Sequence, residues 1–189
     1  MSTTSVDLLR RKKLSRTTSS PKQPTDEQIE LVRSSWERVS ELRQDDDSAV
    51  ISPAHAFGLA FYDALFALEP DTRLLFNNIF PQARALTGMI SCLTRAPASV
   101  TAATTVQQLQ QLGSRHAQYN VHPDHLALVG PAFVSALKQR LGTEYTPDIG
   151  DAWLSAHAFA AHHMRIGLVS QLAWDGRGHH STSATCTIQ

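Results

Sequence analysis

Every long apolar pattern in this 189-residue chain repeats at spacings of three and four, and no stretch alternates apolar with polar residues. Residues three and four apart share one face of a helix, whereas a half-buried strand needs a period of two. The chain is therefore expected to be all-α. Ile29, Val32, Trp36 and Val39 make one stripe; Phe57, Phe61, Ala64, Leu65 and Leu68 make a second. Ile79, Leu86, Met89, Ile90 and Leu93 make a third, and Leu126, Val129, Phe133 and Leu137 another. Start signals agree with the stripes. Thr25 and Gln28 form a capping-box pattern, Ser52-Pro53 pairs a cap with Pro at the first helical position, and Thr146-Pro147 opens a last helix running to about Leu172. Pro70 opens a short helix ending near Phe76, and Asn77-Asn78 is a turn signal. Ala96 to Thr105 is small, polar and Pro-containing, and is expected to be a link. Gln44-Asp45-Asp46-Asp47-Ser48 breaks the first helix and is expected to be a tolerated surface insertion.

One stretch carries the chemistry: Leu112 to Gly130, LGSRHAQYNVHPDHLALVG. Val106, Leu109 and Leu112 lie on one face of a helix, and His116, four residues on, continues it inward. A short link follows, and His122-Pro123-Asp124 opens another helix. A lone inward His is either a core residue satisfied by a backbone carbonyl or a metal ligand, since neutral imidazole is the commonest one. The other histidines are expected at the surface or at helix boundaries.

The surroundings favour the ligand. LGSRH, a link with Val121 and a new helix carrying VG resemble the proximal haem region of globins. Leu65 to Phe76, LFALEPDTRLLF, resembles the second-to-third helix region of neuroglobin-like and bacterial globins. Val32 to Ser40 resembles the first globin helix, and Thr146 to Trp153 the start of the last. The match runs in order from about Thr25 to about Trp174. The resemblance implies a three-over-three helical sandwich around haem b, with the fourth short helix missing.

In that family the His of the LGSRH stretch ligates iron, which implies His116 here. The resemblance further implies a pocket walled by Phe76, Leu86, Leu112, Val121, Leu126 and Val129. Tyr62, in FYDALF, resembles the second-helix Tyr of bacterial globins and flavohaemoglobins. A buried phenol must find a hydrogen-bond partner, and one aimed at bound O₂ stabilises the oxy form. Pro81 to Leu86, PQARAL, resembles the start of a distal helix. One register places Gln82 at the ligand and Leu86 over the iron; a shift of two places Arg84 and Gly88 there. Leu86 is the better apolar wall, so Gln82 is preferred. Neither register puts a His on the distal side. Enzymatic bacterial globins place a Tyr ten residues after the proximal His, where this chain has Leu126. A charge-enhancing proximal partner is then missing, which argues against peroxidase-like chemistry.

These features imply a globin that binds O₂ reversibly, for storage, transport or sensing, with CO and NO as further ligands. The enzyme alternative is nitric-oxide dioxygenation with a separate reductase, because no flavin- or nicotinamide-binding pattern accompanies the globin-like stretch. A third alternative is a haem-based sensor or interaction module. Charge is balanced, with 17 basic and 17 acidic residues, so charge alone indicates no nucleic-acid partner. No apolar run is long enough to span a membrane. Two cysteines, Cys92 and Cys186, make no disulfide framework and fit a cytoplasmic, reducing compartment.

The balance conceals a basic head. Residues 1–24 carry six basic residues and one acid, with Ser, Thr and Pro between them, and are expected to be disordered. Their Arg, Ser and Thr content also fits a transit peptide. The expected layout is a head of 1–24, a globin domain of 25–175 and a polar tail of 176–189.

Overall fold

The computed structural model describes residues 20–45, 47–95 and 102–178. Among them all regular structure is helical, and no helix is long and apolar enough to cross a membrane. Six α-helices run in order: α1 (Asp26–Glu41), α2 (Pro53–Leu68), α3 (Ile79–Thr94), α4 (Ala102–His116), α5 (Leu126–Leu141) and α6 (Pro147–Gly178). A 3₁₀ turn, Pro70–Leu75, joins α2 to α3 with no further helix between, and a second, Pro123–His125, leads into α5.

The helix starts follow their capping chemistry. Thr25 Oγ1 accepts from the Gln28 N–H while the Gln28 side chain accepts from the Thr25 N–H. Ser52 caps α2 with Pro53 at its first position, and Asn78 caps α3 by accepting from the Phe80 N–H. Two ends differ from expectation. α4 begins at Ala102, four residues inside the expected link, because Ala102 and Ala103 are strong helix formers and nothing after them breaks the turn. α6 continues past Leu172 and Asp175 to Gly178, since no Pro or capping signal stops it. The rest of that link, most of the basic head, and the tail with Cys186, His179 and His180 lie outside the described residues.

The helices form two layers, with α1, α3 and α4 over α2, α5 and α6. α2 is the central element: Phe57, Phe61, Leu65 and Phe66 are all buried on it. Its rings meet those of the neighbours, Phe57 on Trp36 at 5.4 Å and Phe61 on Phe133 at 4.8 Å, and Phe133 touches Trp153 at 5.2 Å. Both buried indoles keep their N–H paired: Trp153 donates to Ser35 Oγ and Trp36 to Ser91 Oγ.

The acidic stretch after α1 corrects the expectation of a surface insertion. Arg140 of α5 is inside the protein, and its guanidinium donates through both terminal nitrogens to the Asp47 carboxylate at 2.6 Å. It also donates to Gln44 Oε1 and the Leu42 carbonyl. The two side chains are only 4% and 6% exposed. The Arg140 guanidinium holds the Asp47 carboxyl below the usual carboxylate range. A chain segment can hold a buried Arg only if it returns a carboxylate to it, and Asp47 is that return.

Removing one partner leaves a buried charge, so Asp47→Ala should cost about 3–5 kcal/mol of unfolding free energy in urea melts. The folded carboxyl binds its proton less readily than the unfolded one. Its contribution is therefore present above the unfolded value of about 3.9 and is lost as pH falls through the lower folded value. Asp47→Asn should remove that share of the acid-side slope of stability against pH; an unchanged slope would contradict the pairing.

Candidate functional site

On one side of the site, α2 and α3 cross at Gly58 and Ala83. A Cβ on Gly58 would lie 2.9 Å from both the Cβ and the carbonyl oxygen of Ala83, so the helices touch where one residue has no side chain. Tyr62 is one turn further along α2 and only 7% exposed. Its ring meets Phe76 at 5.0 Å, Phe61 at 5.1 Å and Phe66 at 6.0 Å. Phe76 leaves the 3₁₀ turn in extended conformation, which turns its ring back to Tyr62. No described residue hydrogen-bonds the Tyr62 hydroxyl. Burial pushes the phenol up to about 12, so at neutral pH it is a neutral O–H donor.

The crossing also sorts the faces of α3. Ala83, Thr87 and Ile90 are buried against the core. Leu86 and Met89 lie on the next flank, half-buried against it, with Gln82 exposed at the flank's start. Arg84 and Gly88 are on the opposite flank. They line an outer cleft of about 410 Å³ with Val50, Ile51 and His55, and Tyr62 is not among its walls.

On the other side, α4 lies on α6, and between α3 and α4 there is no comparable packing among the described residues. His116 ends α4 and is half-buried. Its Nδ1 lies 2.8 Å from the Leu112 carbonyl oxygen. A carbonyl only accepts, so Nδ1 donates; in the neutral imidazole that leaves the lone pair on Nε2, the form that binds a metal. The Tyr119 ring stands edge-on at 6.3 Å. Leu112, Val121 and Val129 are half-buried and Leu126 is buried. The imidazole's described hydrogen-bond partner is the neutral Leu112 carbonyl.

Several residues here were not legible as site residues. His157 is not at the surface. It packs against Gly130 and the Phe133 ring, and burial lowers its imidazole below the usual His range, against a raising bond to Leu126 backbone. His163 stacks edge-on against Phe159 at 4.7 Å with its Nδ1 enclosed. Nothing in the sequence separated them from the histidines expected at the surface. The small residues Gly58, Ala83, Gly113 and Gly167 set the helix approaches, and nothing in a single sequence separates such a glycine from a tolerated one.

Comparison with known proteins gives one consistent picture. A family model described as Globin matches residues 59–164. A flavohemoprotein of Bacillus subtilis (strain 168) is 30% identical over 108 residues, which span 53% of this chain and 26% of that protein. Neuroglobin-2 of Oncorhynchus mykiss is 26% identical over 171 residues, 84% of this chain and 97% of that protein. This chain thus spans about a quarter of the flavohemoproteins it matches and almost all of the neuroglobin. Among solved structures, an engineered carbene transferase from Rhodothermus marinus superposes with a TM-score of 0.66 at 22% identity, over 82% of this chain and 99% of that one. A flavohemoglobin from Malassezia yamatoensis with bound FAD and heme gives 0.57 at 21% identity, over 81% and 38%. At these identities the structural matches speak to the fold.

The Gly58 contact yields a direct test of the packing around Tyr62. Gly58→Val forces a branched side chain into the Ala83 backbone and should lower stability by about 1–3 kcal/mol. It should also change the near-ultraviolet circular dichroism, as the Tyr62–Phe76 contact shifts. A neutral result would mean that the helices are not in contact there.

Proposed function

The chain belongs to the globin family, and from that premise we propose that it is a haem-binding protein that takes up O₂ reversibly, with His116 as the iron ligand. The single observation that carries this reading is the complementary state of two side chains. His116 has Nδ1 engaged by Leu112 and Nε2 free, while Tyr62 is a buried neutral donor with no described protein acceptor. Both fit haem b: an imidazole lone pair suits the iron, and a phenol O–H suits a ligand that gains negative charge.

When bound, haem supplies a ferrous iron that takes a diatomic molecule at its open position. The rest is the work of this chain. The Leu112 carbonyl holds the His116 ring in one orientation and one tautomer. A neutral carbonyl enriches the imidazole less than a carboxylate would, which favours reversible binding over oxidative activation. Tyr62 donates to the ligand, and the rings of Phe61, Phe66 and Phe76 keep that phenol in place. Phe76, Leu86, Leu112, Val121, Leu126 and Val129 form apolar walls that exclude water. Gln82, exposed at the start of the Leu86 flank, is the second distal donor in this reading; Arg84 belongs to the outer cleft. The role this reading gives the chain is storage, transport or sensing of O₂, with the cytoplasm as its compartment.

A second reading, nitric-oxide dioxygenation, is favoured by the distal Tyr62 and by the likeness to flavohemoproteins. Conversion of NO and O₂ to nitrate consumes one electron. A separate reductase is then the partner this reading needs.

Spectra and ligand kinetics test the main reading. α3 contains no His, so the ferrous protein should be five-coordinate. His116→Ala should lose haem or need added imidazole to keep it. A charged acceptor's bond to Tyr62 is worth roughly 1.5–3 kcal/mol, so Tyr62→Phe should speed O₂ dissociation about tenfold to a hundredfold and CO dissociation far less. A six-coordinate ferrous spectrum, or O₂ dissociation unaffected by Tyr62→Phe, would refute the open Tyr62-gated site.

A further inference from the structure

Gly113 and Ser114, inside the LGSRH stretch, have no place in the reading above, yet they lie where α4 meets α6 backbone to backbone. α4 and α6 run antiparallel. A Cβ on Gly113 would fall on the Met164 carbonyl, and a Cβ on Gly167 would fall on the Gln110 carbonyl. The arrangement is reciprocal: each glycine Cα lies over the carbonyl three residues from the opposite glycine. Ser114 Oγ lies 3.1 Å from both the Gln110 and Gly167 carbonyl oxygens, joining the two helices at the same point. The contact is made by backbone on backbone, with both glycines buried. Glycine inside a helix costs about 1 kcal/mol relative to alanine, and the site has two of them.

We propose that Gly113 and Gly167, bridged by Ser114, are positioning residues that set the height of His116 against the haem iron. This deepens the reading above and rests on His116 being the ligand. His116 is three residues past Gly113, and its Nδ1 is tied to Leu112 in the same turn. A displacement of that turn therefore reaches Nε2 undiminished. A methyl group needs about 3.5 Å from a neighbouring heavy atom, so alanine at either glycine moves α4 off α6 by more than about 1 Å. Metal–ligand distances tolerate only about 0.2 Å. The iron bond must lengthen or tilt. Side-chain packing would adapt by a change of rotamer; two backbones in contact have no such freedom.

The test is the iron–histidine stretching band of the ferrous protein by resonance Raman, with the haem-loss rate measured beside it. Gly113→Ala and Gly167→Ala should each move the band and speed haem loss on the order of tenfold. Gly88→Ala, which faces open space, should do neither. In a His116→Gly protein supplied with imidazole, the ligand is no longer attached to α4, and adding Gly167→Ala should leave the band where it was. A general loss of structure would move both. Ser114→Ala adds no volume and carries the test if the glycine variants do not hold haem: its band should also shift. Bands unmoved in every variant that holds haem, or moved equally in the imidazole background, overturn the proposal. If His116→Gly keeps the band without imidazole, the ligand assignment fails instead, and the two failures are distinct.

Discussion

Closeness of approach between helix pairs is the constraint on which this structure depends. Gly58 admits the Ala83 backbone to α2, and Gly113 and Gly167 admit each other's neighbours across α4 and α6. Helix axes normally stand apart by the thickness of their side chains. Removing those side chains at chosen points brings one helix down on each side of the site and fixes what it carries. Tyr62 is one turn from the first contact, and His116 is one turn from the second. The same two contacts account for why α3 and α4 are each fastened to a different neighbour and share no comparable packing with one another.

The polar chemistry is prepared by burial on one side and by a hydrogen bond on the other. Desolvation raises the Tyr62 phenol and keeps it protonated, and surrounding rings leave it no described partner. At His116 the Leu112 carbonyl selects the tautomer, since an acceptor there can be satisfied only by Nδ1–H. A donor and a lone pair are thus both established by the protein's own groups. Leu126, ten residues after His116, is buried apolar surface.

The Arg140–Asp47 pair shows a different economy. A buried ion pair is not by itself a source of stability, because desolvating both charges offsets their attraction. Its effect is to specify: with Arg140 enclosed, the segment after α1 has one place where its carboxylate can be, and Gln44 adds bonds to the Gln139 and Arg140 carbonyls. That segment in turn leads to Ser52 and the start of α2.

The repeat of three and four, the caps at Thr25 and Ser52 and the prolines at helix starts determine from sequence alone that this chain is helical and nearly where most of the helices begin. These are local effects, settled within one turn of backbone. That His116 turns inward and that Tyr62 is buried were legible too, the first from its helical stripe and the second from the resemblance of FYDALF to a known family. The same local rules missed the start of α4 and the end of α6, where propensity continues a helix and no signal stops it. Only the tertiary structure decided which face of α3 turns outward with Arg84, that Asp47 is buried, that His157 is desolvated and that Gly113 and Gly167 meet. Each of these depends on what a second helix brings to within a few ångströms, and a single sequence carries no record of which of its distant residues are neighbours.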